Sequence, residues 1–375
     1  MQLSLNFSRF WRGAARVLGL SDAELAGCLI VAGLAIFPRV LLECLSGSYN
    51  LPPVGQGDYP FVVFALSILA IIAVLRPLYL VITRHPAPTR QLVSDIRSNR
   101  GWIVLVAFTV VALPETLDTA TRFKKIIPQL NPFYADPFLA DMERQILGKD
   151  AWQYTHAMFG PATTRAIDVI YGLWHAVNIG ALVWIVLSRE GLIKIKAAIC
   201  YQLVWLVMGA GMAIAFSSAG PCFFEHFTGD PRFRPLMEKL AIAGGEDGLH
   251  AVAAMKYLLA TQGTNAIGGG ISAMPSLHVA LAAFVVLLVR ELWPRRNVPL
   301  LLALLHFCAV LIGSVHLGYH YLADGVVGTI GVMVIWAATD GVLKAFSNHP
   351  ERTGSLPASH QSTETTTIET SPSTR

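Results

Sequence analysis

The sequence predicts an all-α integral membrane protein with about eight transmembrane helices. Three observations carry this expectation. Of 375 residues, 54% are hydrophobic and 14% charged, with a mean hydropathy of +0.54, whereas soluble domains carry about 25% charged residues. Apolar runs near the roughly 20 residues needed to cross hydrocarbon recur along the chain. Arginine and lysine gather in alternate loops between those runs.

Residues 1–24 form a basic, mildly amphipathic N-terminus containing Arg9, Arg12 and Arg16. It lacks a small-residue cleavage site behind a compact apolar core, so it does not read as a signal peptide. Candidate spans follow near 25–46, 60–83, 101–118, 166–187, 195–216, 275–292, 298–317 and 320–345. The first two, within 25–100, form an accessory pair, and the first is interrupted by Arg39 and Glu43. The third is expected to end at the ProGluThrLeuAsp sequence, 114–118. The last carries Asp324 near its start and Asp340 near its end, where both charges can reach an interface.

Residues 119–164 and 217–274 interleave cations with apolar residues and read as interfacial helices. The Ser/Thr-rich segment 347–375 cannot bury a core and is expected to be disordered.

The short loops set an orientation. Arg84, Arg90, Arg97 and Arg100, then Arg189, Lys194 and Lys196, then Arg290, Arg295 and Arg296 fall on the side of the N-terminus, while 45–59 holds no lysine or arginine. The positive-inside rule puts both termini in the cytoplasm of a multi-pass protein, most simply of the cell (inner) membrane.

A net charge of +4 without a concentrated basic patch argues against nucleic-acid binding. Five cysteines without CxxC or CxxH spacing indicate neither a disulfide framework nor a zinc–cysteine site. Nothing in the sequence sets the oligomeric state, and no cofactor is implied.

The chemistry lies in two histidine boxes, SAMPSLHV at 272–279 and HYLAD at 320–324. An ionisable residue at the edge of a span is costly and reads first as functional, with a partner nearby. Pro275 suits a first helical turn, leaving Ser276 and His278 beside the unpaired N–H groups of a helix start, where an anion is favoured. GlyGlyGly at 268–270 allows close backbone approach. The bland alternative is a capped helix start with a structural histidine.

In the second box, Asp324 lies one turn from His320 and can fix its tautomer, leaving the other ring nitrogen to attack. The bland alternative there is a pair that merely satisfies two polar groups. Two apolar runs joined by a short basic turn separate the boxes, so antiparallel packing brings both to one face, the outer one. A zinc set of His278, His316, His320 and Asp324 has a familiar ligand spacing, but Gly318 breaks the turn, and no metal is expected. A third class of reading is a transporter or lipid-binding protein using these groups as a proton relay.

MPSLH followed by HYLAD resembles the type 2 phosphatidic acid phosphatase superfamily. Leu277 and Tyr321 are similar to its inositolphosphotransferase branch, related to the aureobasidin-sensitive inositol phosphorylceramide synthases. FSSAGPCFFEHFTGD at 216–230 and KKIIPQLNPFYADPFLADMERQILGKDAW at 124–152 are similar to that branch as well.

The resemblance covers roughly 100–345. It implies a six-helix catalytic bundle, phosphatidic-acid-phosphatase-like, in the C-terminal three quarters, with 101–346 as the catalytic domain. It implies His320 as the nucleophile forming a phosphohistidine, Asp324 as its orienting carboxylate, His278 as the general acid and Ser276 as a phosphate donor group.

It further implies a lipid phosphate ester as substrate and a lipid or polyol acceptor, hence a membrane phosphotransferase. The alternative is a phosphatase releasing phosphate to water. The family's usual arginine corresponds here to Ser314, and its lysine–arginine box has no match just upstream of MPSLH. Lys124 with Asn131 and Pro132 reproduces only the spacing. Phosphoryl transfer needs cations around its equatorial oxygens, and Arg232, Arg234, Lys256 and Lys124 are the candidates, each with headgroup contact as its bland alternative.

Overall fold

The structure, a computed structural model, describes residues 2–48, 59–264, 266 and 268–347. Apart from Ser347, the Ser/Thr-rich tail expected to be disordered lies outside the described residues. Among the described residues all regular structure is helical.

The amphipathic N-terminus is helix α1 (Gln2–Leu18), followed by α2 (Asp22–Ser46), α3 (Tyr59–Ile82), α4 (Pro88–Ser98) and α5 (Arg100–Leu130). Two short helices come next, α6 (Asp136–Leu147) and α7 (Ala151–Met158), and then α8 (Pro161–Gly172), α9 (Trp174–Leu187) and α10 (Gly191–Leu203). The wider-wound segment Val204–Met212 and α11 (Ala213–Ala215) continue α10. After α12 (Phe224–Thr228), α13 (Arg234–Gly244) and α14 (His250–Ala260), the chain closes with α15 (Leu277–Leu292), α16 (Asn297–His316) and α17 (Leu322–Ser347).

Among the described residues six helical stretches are long and apolar enough to cross a membrane: Asp22–Leu45, Arg100–Leu130, Pro161–Leu187, Gly191–Ala215, Asn297–His316 and Leu322–Ser347. This is the architecture of a multi-pass helical membrane protein. Of the eight spans expected, two are not among these six. The one near 60–83 forms α3, whose stretch Leu69–Ile82 counts as a shorter apolar helix. The one near 275–292 becomes the 16-residue α15, packed among its neighbours with Leu277, Val279, Ala280, Leu281, Ala282 and Ala283 buried.

The third span runs past its expected stop. Pro114 lies inside α5, which continues to Leu130. Pro is tolerated in such a helix because neighbours and hydroxyl side chains re-satisfy the backbone, and the charges that suggested an end are compensated. Arg39 of α2 pairs with Glu115 (3.3 Å) and Asp118, and Arg122 pairs with Asp118 (3.2 Å). Residues 119–130 therefore continue α5 rather than forming a separate interfacial helix, with Thr119, Ala120, Phe123, Ile126 and Ile127 buried.

Small residues let the helices meet closely. A Cβ on Gly328 of α17 would lie 2.8 Å from the Ser276 carbonyl oxygen at the start of α15. The two histidine boxes are also tied backbone to backbone, Ser276 N–H donating to the Asp324 carbonyl at 3.0 Å.

Candidate active site

The antiparallel order of helices brings the C-terminal ends of α5 and α16 to the same end of the bundle as the N-terminal ends of α8, α15 and α17. A cavity of about 320 Å³ opens there. His278, His320, Lys124, Asp168, Tyr171, His175, His250 and Tyr319 are among its lining residues, as are Gly268 and Gly270.

Each box is built by helix-end chemistry. Ser276 caps α15, its hydroxyl accepting from Val279 N–H at 3.3 Å, which satisfies one orphan donor of the first turn and places His278 on that turn. α16 ends on Gly318 at φ +79°, and the Ser314 carbonyl accepts from Tyr319 N–H (3.0 Å) and His320 N–H (3.1 Å). A left-handed glycine just past a helix is the usual way to turn the chain and satisfy the last carbonyls.

His320 thus sits in the loop before α17 rather than opening a span, as the sequence suggested, and Asp324 occupies the first turn of that helix. Oδ2 of Asp324 reaches back to Tyr321 N–H (3.0 Å) and to His320 Nδ1 (3.3 Å). The carboxylate is fully buried, and its Oδ1 has no hydrogen-bond partner among the described residues. With Nδ1–H donating to Asp324, Nε2 carries the ring's lone pair.

The His278 and His320 ring centroids are 6.1 Å apart. His278 is wedged between Trp174 (4.2 Å) and Tyr171 (5.1 Å), and Trp174 Nε1–H donates to its carbonyl at 3.0 Å.

The other expected phosphate ligands separate. Lys124 lines the cavity, its backbone lying against Gly270. Ser276 and Ser314 are buried, the latter donating to the Leu311 carbonyl at 2.8 Å. Arg232 instead bridges Asp141 (2.6 Å) and Asp150 (2.6 Å), Arg234 pairs with Glu225, and neither is part of the cavity lining. Lys256 lies on α14 off the face that Ala251, Ala254, Tyr257 and Leu258 turn to the cavity.

His316 does not join a metal-like set with the other histidines. Its ring nitrogens meet Thr155 (3.0 Å) and Thr164 (2.9 Å), and it stacks on His156 with centroids 3.9 Å apart. His156 Nε2–H donates to the His316 carbonyl at 2.9 Å. Burial lowers the pKa of His156 below the usual histidine value. The unfolded chain then takes up the proton first, so stability conferred by the neutral ring is lost as pH falls below about 6.5. Thermal unfolding in detergent should show a falling midpoint from pH 7.5 to 5.5, with a shallower slope in His156→Gln; an unchanged slope would assign the acid sensitivity elsewhere.

Sequence reasoning missed one wall of the site. Asp168, Tyr171, Gly172 and His175 all line the cavity, at the i, i+3, i+4, i+7 spacing of one helical face. Asp168 accepts from the His250 and Ala251 N–H groups (both 2.8 Å) and pairs with His250 Nδ1 at 3.0 Å, capping α14 over the cavity. His175 faces His278 with centroids 6.3 Å apart. Polar residues at helical spacing inside an apolar run were the available signal.

Missed too were two buried carboxylates on α6. Asp136 accepts from Ala219 N–H (2.7 Å), Gly220 N–H (2.8 Å) and Tyr321 O–H (3.0 Å). Glu143 accepts from Ala151 N–H and Leu322 N–H, both at 2.7 Å. Burial pushes the carboxyl pKa of each upward, while the N–H donors pull it back.

Such an arrangement, a tautomer-fixed imidazole facing a second imidazole at one end of a helix bundle, suits acid–base and nucleophilic work on a phosphate ester. No curated protein and no solved structure matches the chain. The sequence model of the PAP2 superfamily matches residues 138–338, a span that begins within α6 and includes both histidine boxes. With more than half of its length matched, the chain belongs to the PAP2 superfamily, and so to a class of phosphatases and phosphotransferases acting on lipids.

Proposed function

We propose that the protein is a membrane lipid phosphotransferase of the inositolphosphotransferase type, moving a phosphorylated headgroup between lipids through a phosphohistidine. One observation carries this reading: His278 and His320, 42 residues apart in sequence, converge on one cavity at one end of the bundle, with the buried Asp324 against His320 Nδ1. The branch rests on Leu277, Tyr321 and the segments 124–152 and 216–230. By the same reading α5, which lies before the matched span, belongs with the catalytic bundle because it supplies Lys124. The cavity end of the bundle is taken as the outer face, since Arg100, Arg189, Arg290, Arg295 and Arg296 lie at the opposite end.

In the first step His320 Nε2 attacks phosphorus. The N–P bond forms, the bond from phosphorus to the lipid alkoxide breaks, and His278 gives that alkoxide its proton. In the second step the acceptor hydroxyl passes its proton to His278, its oxygen bonds phosphorus, and the N–P bond breaks. Asp324 stabilises the positive imidazole ring of the intermediate. Lys124 and donors around Ser276 offset the charge on the equatorial oxygens.

Water as acceptor makes the same site a phosphatase. Purified protein in mixed micelles of phosphate-labelled phosphatidylinositol or phosphatidic acid, with and without an added lipid alcohol, separates the two. Label appearing in a new lipid supports transfer. Label released only as soluble phosphate or headgroup phosphate would reduce the reading to hydrolysis.

A further inference from the structure

The segment 124–152 stands apart in the sequence, yet Lys124 is its one cavity-lining residue among those described. Of its three buried carboxylates, Asp150 holds Arg144 and Arg232, while Asp136 and Glu143 are directed at the loop that carries His320. That loop, Tyr319–Leu322, is gripped at successive residues. Tyr319 and His320 donate through their N–H groups to the Ser314 carbonyl. Tyr321 N–H donates to Asp324, and the Tyr321 hydroxyl donates to Asp136. Leu322 N–H donates to Glu143.

Tyr321 is 1% exposed and Asp136 1%, so these bonds are shielded from competing water. Asp136 also holds the Ala219 and Gly220 amides, and the Cys222 amide donates to the Gly318 carbonyl at 2.8 Å. One buried carboxylate therefore joins the 219–222 turn to the His320 loop. Glu143 joins the first turn of α7 to the first turn of α17.

We propose that Asp136 and Glu143 are positioning residues for phosphoryl transfer, holding the Tyr319–Leu322 loop so that His320 stays aligned on phosphorus. The inference rests on the phosphohistidine reading above. The chemistry requires carboxylates at both positions. All three partners of Asp136 and both partners of Glu143 are donors, and a carboxylate only accepts. An amide of the same shape would turn its own N–H groups towards at least one of those donors, breaking the grip without changing volume. A displacement of about 1 Å of a reacting group costs on the order of 10²-fold in rate.

The test is single-turnover transfer of label from phosphate-labelled phosphatidylinositol or phosphatidic acid in mixed micelles to the full-length protein, measured for wild type, Asp136→Asn, Glu143→Gln, Tyr321→Phe and His320→Ala. A purely structural role lowers the amplitude, because fewer molecules are folded, and leaves the rate constant alone. Positioning lowers the rate constant at near-normal amplitude. We expect a fall of about 10²-fold in rate for Asp136→Asn and Glu143→Gln, a smaller one for Tyr321→Phe, and a double Asp136→Asn/Tyr321→Phe variant slowed by less than the product of the two.

If the amide variants fail to fold, Tyr321→Phe decides, since it removes one hydroxyl only. A wild-type rate constant in Tyr321→Phe and in the folded amide variants, with His320→Ala unlabelled, overturns the positioning role and leaves the nucleophile in place. Label accumulating on His320→Ala overturns the phosphohistidine reading itself, and the inference with it.

Discussion

His320→Ala is expected to fold, to bind lipid and to show no turnover above background. The imidazole is nearly buried at the mouth of α17, and its removal takes away the atom to which phosphorus would bond. Asp324→Asn should retain the geometry yet lose on the order of 10³–10⁴-fold in kcat, because an amide at 324 no longer requires the tautomer that leaves Nε2 unprotonated and cannot offset the positive ring.

His278→Ala should behave differently. Loss of a general acid costs about 10²–10⁴-fold, but only where the departing oxygen needs a proton. An aryl phosphate ester, whose leaving group departs as a stable anion, should recover most of the first-step rate in His278→Ala and none in His320→Ala. Equal losses on alkyl and aryl esters would remove the acid role from His278. Midpoints of thermal unfolding close to wild type are required for each comparison to count.

Lys124→Gln carries the second large effect. Among the described residues it is the one lysine or arginine lining the cavity. Removing a preorganised charge donor from a shielded transition state costs about 10²–10³-fold, so kcat/KM should fall by that order, with Lys124→Arg restoring part of it. An unaltered kcat/KM in folded Lys124→Gln would move phosphate binding to the histidine and backbone donors around Ser276 and His175.

The histidine boxes were legible because their information is local. A proline, a serine and a histidine within four residues mark a helix start, although the helix begins two residues past the proline expected in its first turn, with Ser276 as its cap. His320 with Asp324 four residues later specifies a pair, whatever surrounds them. Lys124 was legible only as a spacing, since the sequence does not show that the end of α5 returns to the cavity beside Gly270.

Arg232, Arg234 and Lys256 were plausible by composition, and the fold sends each elsewhere. Asp141 and Asp150 hold Arg232, Glu225 holds Arg234, and a rotation of roughly 100° per residue turns Lys256 away from the wall that Tyr257 joins. The carboxylates Asp136 and Glu143 look like ordinary first-turn and surface acids until their partners, more than 80 residues away at Ala219 and nearly 180 away at Leu322, are known. The end of the third span was misplaced for a related reason: Glu115 and Asp118 read as stop signals, whereas Arg39 on another helix makes them tolerable inside the bundle.

A covalent bond between phosphorus and His320 is what the proposed reaction requires, and it can be trapped. Phosphate-labelled lipid is mixed with purified protein for a single turnover, quenched in alkali, where phosphohistidine survives and acyl phosphates do not, and the labelled peptide is mapped. Label is expected on His320, absent from His320→Ala and chased into product by an acceptor hydroxyl. Turnover by wild type with no label at any time point, or label mapped to another residue, would contradict it.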